Sequence, residues 1–154
     1  MRPIHDQDRL ELVDLSPSLR KYARPIAIVC MAIVVGTIAV QVLATMDVIQ
    51  DPWLPLGTGF LSSAAIGLDA AVVGARKRWG VGPSIVNLAP GGWALFGVML
   101  WIVALPAYLL VVRRRARRAV PSEYDEWYEP VDWGSLVAIV VVTVLGLLTS
   151  LAGL

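Results

Sequence analysis

The feature that most constrains this chain is the presence of three long stretches without a charged side chain. They are Ile26–Met46, Trp93–Val112 and Gly134–Leu154, each 20 or 21 residues long and free of Lys, Arg, Asp, Glu and His. At about 1.5 Å per residue, a helix of that length covers roughly 30 Å, which is the thickness of the hydrocarbon core of a bilayer. Helices buried in a soluble protein normally keep a polar face. The stretches therefore predict an all-α integral membrane protein.

Composition and cysteine content agree with this prediction. Apolar residues make up 57% of the 154 residues, above the roughly 45–50% of ordinary soluble domains, and the mean hydropathy is +0.70. The single cysteine, Cys30, lies within the first stretch, so we expect a small packing residue and no intramolecular disulfide. The first stretch begins too late and runs too long for an ordinary cleaved secretory signal.

The distribution of basic residues predicts the orientation. Five of the 13 Lys and Arg residues precede the first stretch, five follow the second over Arg113–Arg118, and three lie between them at 76–78. Because cytoplasmic loops carry an excess of Lys and Arg, the N-terminus and the loop after the second stretch are expected in the cytoplasm. Three crossings would then place the C-terminus on the outer side.

The predicted organisation is three transmembrane helices plus short interfacial helices. Its segments are a cytoplasmic tail (1–25), transmembrane helix 1 (26–49), an outer loop (50–92), transmembrane helix 2 (93–112), a basic and then acidic-aromatic cytoplasmic loop (113–132) and transmembrane helix 3 (133–154). Within the second of these helices, Pro106 removes an N–H donor and predicts a kink.

The apolar segment Gly57–Ala75 within the outer loop leaves an alternative open. As a fourth crossing it would move the arginines after 112 to the outer side and strand Asp69 in the bilayer, at about 2.5–3.5 kcal/mol near its centre. We therefore expect an amphipathic helix on the membrane surface over about 58–78, with four crossings as the alternative.

Catalytic and metal-binding patterns are missing from the sequence. The only histidine is His5, there is no Gly-rich phosphate loop, and no nucleophile stands near a candidate base. We expect no enzyme activity, no catalytic residues, no metal site and no cofactor, and a cofactor-binding residue cannot be assigned. Gln41, the one amide within a predicted crossing, either contacts a quinone or pigment or, as we favour, hydrogen-bonds a neighbouring helix.

Two sets of residues are candidates for contact. Basic residues near the headgroups attract anionic lipids or an acidic protein surface, and interfacial tryptophans anchor helices. The candidates for lipid or partner contact are Arg113, Arg114, Arg115, Arg117, Arg118, Trp127 and Trp133. Small residues four apart allow helices to approach closely, and on this basis Ala32, Gly36, Gly146 and Ser150 are the candidates for helix packing. Nucleic acid is not an expected partner, since no folded basic domain accompanies the arginines.

The second apolar stretch carries a family resemblance. It contains Trp101-Ile102-Val103, then Pro106, Tyr108-Leu109 and Arg113, and this pattern resembles a segment of small uncharacterised bacterial membrane proteins. The resemblance covers about a seventh of the chain. It implies a bacterial origin, and hence the inner (plasma) membrane, but no activity.

The sequence thus predicts a non-catalytic structural or accessory subunit of a larger bacterial membrane complex, with other membrane subunits and anionic lipids as partners. An energy-transducing complex is one candidate for that assembly. The reasoning is by elimination, since the three predicted crossings offer packing surface but no ligands or charges. One alternative is an oligomeric small transporter or channel component, with Gln41, the threonines of the crossings and Pro106 lining its path. Another is a lipid-facing regulator that docks through its arginines.

Overall fold

The computed structural model describes residues 21–73, 87–114 and 131–152, and these ranges contain helices and no strands. The helices are α1 (Ala23–Thr45), α2 (Trp53–Val73), α3 (Pro90–Ala107) and α4 (Trp133–Leu151), and α3 continues into a π-helical turn, Tyr108–Val112. With that turn, all four are long and apolar enough to cross a membrane. The all-helical class predicted from the sequence is confirmed, and the four apolar helices agree with a membrane protein, whereas three crossings with interfacial helices are not confirmed.

Local sequence signals define three of the helix starts. The carboxylate of Asp51 accepts hydrogen bonds from the backbone N–H groups of Trp53 (3.2 Å) and Leu54 (3.1 Å) at the start of α2. Asp132 accepts one from the N–H of Ser135 (2.8 Å) and caps α4. Pro90 begins α3, where the missing N–H costs nothing.

Helix α2 forms the centre of the bundle and packs against the other three helices. Of its most apolar stretch, 61% is buried, compared with 17–28% in the others. The predicted helix thus forms as part of α2 over 58–73, while 74–78 lie outside the described residues. Its expected place on the membrane surface is not confirmed. Its many small residues explain the difference: Gly67 approaches α3 and α4 so closely that a Cβ there would lie 2.8 Å from the Cβ of Ala94 and 3.0 Å from Cγ1 of Ile139.

Helices α1 and α4 both run antiparallel to α2. The Gln41 side chain donates a hydrogen bond to the carbonyl of Pro55 (2.9 Å), and the Thr37 hydroxyl lies 3.0 Å from the carbonyl of Thr58. On α4, Gly146 lies against Leu61. The start of α1, the end of α2 and the start of α4 therefore lie together at one end of the bundle, which we call the basal end.

Helix α3 folds back on itself. Its backbone leaves helical geometry at Leu100 (φ −140°, ψ 53°), and the rings of Trp93 and Tyr108 are 5.4 Å apart, although a straight helix would separate these residues by about 22 Å. The limb before Leu100 is antiparallel to α2. Gly97 lies against Ser63, so a Cβ added at Gly97 would be 2.9 Å from the Cβ of Ser63.

The limb after Leu100 runs parallel to α2. The Trp101 indole N–H donates to the hydroxyl of Ser62 (2.9 Å). Further along both helices, the Tyr108 hydroxyl donates to Asp69 (2.6 Å). Both ends of α3 therefore lie at the basal end. The sequence predicts a single crossing over 93–112; the structure has a helical hairpin there, and the sharp break is at Leu100 rather than at Pro106.

Candidate functional site

A buried charged cluster lies where the two ends of the hairpin meet α2. Asp69 is fully buried, with 0% of its surface exposed, and three groups donate to its carboxylate. The Tyr108 hydroxyl (2.6 Å) and the Arg113 Nε (2.7 Å) both donate to Oδ2. The Arg113 Nη2 donates to Oδ1 (3.2 Å). The arrangement is a bidentate ion pair supplemented by a phenol.

The π-helical turn brings Tyr108 and Arg113 onto the same face. These residues are five apart, and in an α-helix with 3.6 residues per turn they would point about 140° away from each other. In a π-helical turn the i→i+5 hydrogen bond stacks such residues. The turn over Tyr108–Val112 is therefore what allows both side chains to reach one carboxylate.

Aromatic and apolar groups enclose the cluster. Trp93 is fully buried between Phe96 and Tyr108, at ring-centroid distances of 6.0 and 5.4 Å, and Cys30 from α1 belongs to the same core. The indole N–H of Trp93 is buried and has no hydrogen-bond partner in the described part of the chain. The ion pair is thus held in an apolar environment, where an isolated charge would be very unfavourable.

The cluster neutralises its own charge. Asp69 is the one acidic residue within the four helices, and its oxygens are bonded to Tyr108 and Arg113. The described residues contain no group of three His, Cys, Asp or Glu side chains that could hold a metal ion. In this arrangement the cluster fixes the hairpin to α2 and offers no exposed acid or base.

The structure places the predicted contact residues in different environments. Arg113 points inward to Asp69, with 14% of its side chain exposed, whereas Arg114 is exposed and Trp133, at the start of α4, is 62% exposed. Arg115, Arg117, Arg118 and Trp127 lie outside the described residues. Lipid or partner contact by the exposed arginine and tryptophan stays a prediction.

The predicted packing residues also separate into two groups. Gly146 is buried against Leu61 of α2, and the Ser150 hydroxyl is buried beside Gly57. Ala32 and Gly36 lie on an exposed face of α1, and a Cβ at Gly36 would meet nothing within 4 Å. Within the described residues the packing face of α1 is instead formed by Cys30, Val34 and Thr37. The pair on the exposed face stays a prediction for contact with another protein.

The sequence interpretation missed the pairing of Asp69 with Arg113. It treated Asp69 only as a free-energy cost of inserting Gly57–Ala75 into the bilayer. It treated Arg113 only as a basic residue at the membrane surface. The available signal was the lone acid in an apolar segment, since intramembrane ionisable residues usually pair with one another. Gln41 makes the contact to a neighbouring helix that the sequence favoured.

Comparison with known proteins finds no matching family model, no similar curated protein and no similar solved structure.

Proposed function

We propose that this chain is a non-catalytic structural subunit of a larger assembly in the bacterial inner membrane, with an energy-transducing complex as one candidate. The observation that carries this proposal is the closed Asp69 cluster. The only acidic residue within the four helices is fully buried and bonded to Tyr108 and Arg113, so it offers no free ligand or proton acceptor at a surface. What the helices present outward is apolar surface for lipid and other membrane proteins.

The exposed apolar residues support this proposal. On α1, Ile28 and Val35 are 70% and 65% exposed, and on α4, Val140 and Leu148 are 59% and 61% exposed. Surface of this kind is compatible with a hydrocarbon environment, and small exposed residues such as Gly36 permit close approach of a further helix.

We propose a topology in which α1, α2 and α4 cross the membrane and α3 is re-entrant. The start of α1, the end of α2, both ends of α3 and the start of α4 share the basal end. All 13 Lys and Arg residues belong to segments that adjoin these ends, and neither 46–52 nor 152–154 contains one. By the positive-inside rule the basal end is cytoplasmic, the N-terminus is inside and the C-terminus is outside.

The tip of the re-entrant hairpin contacts α2 through Trp101 and Gly97, while the side chain of Leu100 is 52% exposed. Non-helical backbone at membrane depth requires burial in protein or contact with water. The limb over 90–99 is about 15 Å long, roughly half of the hydrocarbon thickness, and its tip lies beside Ser62 and Ser63. This topology also removes the objection to a buried Asp69, since Arg113 neutralises it.

The test is purification of the tagged full-length chain from its native membrane in mild detergent, followed by determination of subunit stoichiometry. The proposal predicts a fixed ratio to at least one larger membrane protein, retained through size exclusion. Recovery only as a homo-oligomer would contradict it. A chain carrying Gly36→Trp on the exposed face of α1 should lose part of this association. The same substitution at an exposed position of α4, Val140→Trp, tests whether α4 makes the contact instead.

The second candidate is an oligomeric transporter or channel component. The observation that favours it is the hairpin itself, because half-crossing helices beside a buried ion pair occur where ions or solutes pass. Proteoliposomes containing the purified chain alone should then show ion or solute flux that Arg113→Gln alters. The structural-subunit proposal predicts no flux above protein-free vesicles.

A further inference from the structure

A groove between α1 and α4 lies next to the Asp69 cluster and shares Cys30 with the core around it. Both helices pack on α2 but have little contact with each other, and a cavity of about 310 Å³ lies between them. Its volume is within the range of ligand-binding clefts, about 300–1,000 Å³. The small side chains of Ala64 and Ala65 help to form it on α2, facing Val29 and Ile33 of α1.

The lining restricts the chemistry of an occupant. Apart from Cys30 and Thr143, the residues that line the groove are apolar, and the Thr143 hydroxyl already donates to the carbonyl of Ile139 (2.8 Å). A ligand inside the groove therefore meets mainly hydrocarbon, together with the weakly polar Cys30 thiol. This environment suits an acyl chain.

The basal end of the groove has a different character. The groove begins at Pro25 and Ile26, and Arg24 and Lys21, which precede them, are both exposed. On the α4 side, Trp133 is exposed and the Asp132 carboxylate is engaged in capping the helix. Two exposed cations thus immediately precede the first lining residues of an apolar slot, a combination that favours an anionic lipid.

We propose that the groove binds one acyl chain of an anionic phospholipid whose phosphate lies against Lys21 and Arg24. The site does not depend on the proposed structural role. It differs from general attraction to the arginines after 112, because here hydrocarbon and phosphate contacts occur together at one place on α1.

The test uses the full-length chain in nanodiscs of matched acyl composition. Phosphatidylglycerol or phosphatidylcholine carrying a diazirine on one acyl chain is photolysed, and the crosslinked peptides are identified by mass spectrometry. We expect phosphatidylglycerol to label the peptide containing Val29 and Ile33 in preference to the exposed face of α4 at Val140. Lys21→Gln with Arg24→Gln should reduce that preference about 30-fold, or about fivefold per charge.

Arg76→Gln with Lys77→Gln is the matched control, since it removes one Arg and one Lys from a different segment of the chain and should leave the groove label unchanged. Thermal unfolding verifies that each variant is folded. Equal labelling by the two lipids, or equal loss in both variants, would overturn the proposal. So would efficient oxidative crosslinking between two copies through Cys30, the only cysteine, because a second copy would then occupy the groove.

Discussion

Arg113 lies 2.7 Å from Asp69 although the two residues are 44 positions apart and belong to different helices. The contact exists because α3 reverses at Leu100 and ends beside the helix that carries Asp69. The carboxylate is fully buried, so its charge depends on this one cation and on the Tyr108 hydroxyl. The relationship connects the hairpin, the π-helical turn and the buried acid into one structural unit.

Loss of the cation should destabilise the protein strongly. Arg113→Gln leaves a buried carboxylate without its ion-pair partner, and breaking such a pair costs about 3–5 kcal/mol. We expect a corresponding fall in thermal stability in detergent, whereas Arg114→Gln at the exposed neighbouring position should change stability by less than about 0.5 kcal/mol.

The double variant separates the ion pair from other effects of the substitution. Asp69→Asn combined with Arg113→Gln removes both charges, so it should be more stable than Arg113→Gln alone, as expected when the penalty comes from an unpaired charge. If the double variant is the less stable of the two, the pairing does not account for the stability of the hairpin.

Membrane topology can be measured with single cysteines. In a Cys30→Ser background, cysteines introduced at Lys77 and at Arg117 should react with an impermeant reagent only after the cytoplasmic side is exposed, and one at Gln50 should react from outside. If α3 crossed the membrane, 77 and 117 would lie on opposite sides, so opposite labelling of these two positions would reject the re-entrant hairpin.

Close packing at Gly67 provides another test. A Cβ there would lie 2.9 Å from the carbonyl oxygen of Pro90 as well as close to Ala94 and Ile139, and backbone cannot move aside easily. We expect Gly67→Ala to cost about 1–3 kcal/mol in thermal unfolding. The control Gly36→Ala, at an open position of α1, should be neutral or slightly stabilising, since alanine favours helix.

The π-helical turn predicts an unusual tolerance to deletion. Removing the exposed Leu110 would convert the turn into an α-helical one in which Tyr108 and Arg113 are four apart and still share a face. Deleting the exposed Val141 in the regular helix α4 would instead rotate everything after it by about 100°. We expect the Leu110 deletion to retain cooperative unfolding near the temperature of the parent protein and the Val141 deletion to lose it. An equal loss of thermal stability in both would contradict the proposal that the turn serves to align Tyr108 with Arg113.

Hydropathy and charge alone predict the membrane class, the helical content and the approximate position of each apolar helix. They do not predict the reversal at Leu100, because this residue is apolar and helix-compatible, and 93–112 has the composition of an ordinary crossing. They also do not predict the burial of Trp93, the first residue of the second apolar stretch, which is fully buried at the base of the hairpin. The burial of α2 follows from contacts of Gly67 and Asp69 with residues distant in sequence, which a local window of hydropathy does not include.

The reversal at Leu100 has a consequence for biogenesis. In the proposed topology the hairpin enters and leaves from the same side and has no translocated end, so the insertion machinery would have nothing to pass across the membrane between α2 and α4. Its polar anchoring points, Ser62 and Asp69, are on α2, so the hairpin can dock stably only after that helix is in place. The order in which α2 and the hairpin are synthesised is therefore also the order in which they can dock.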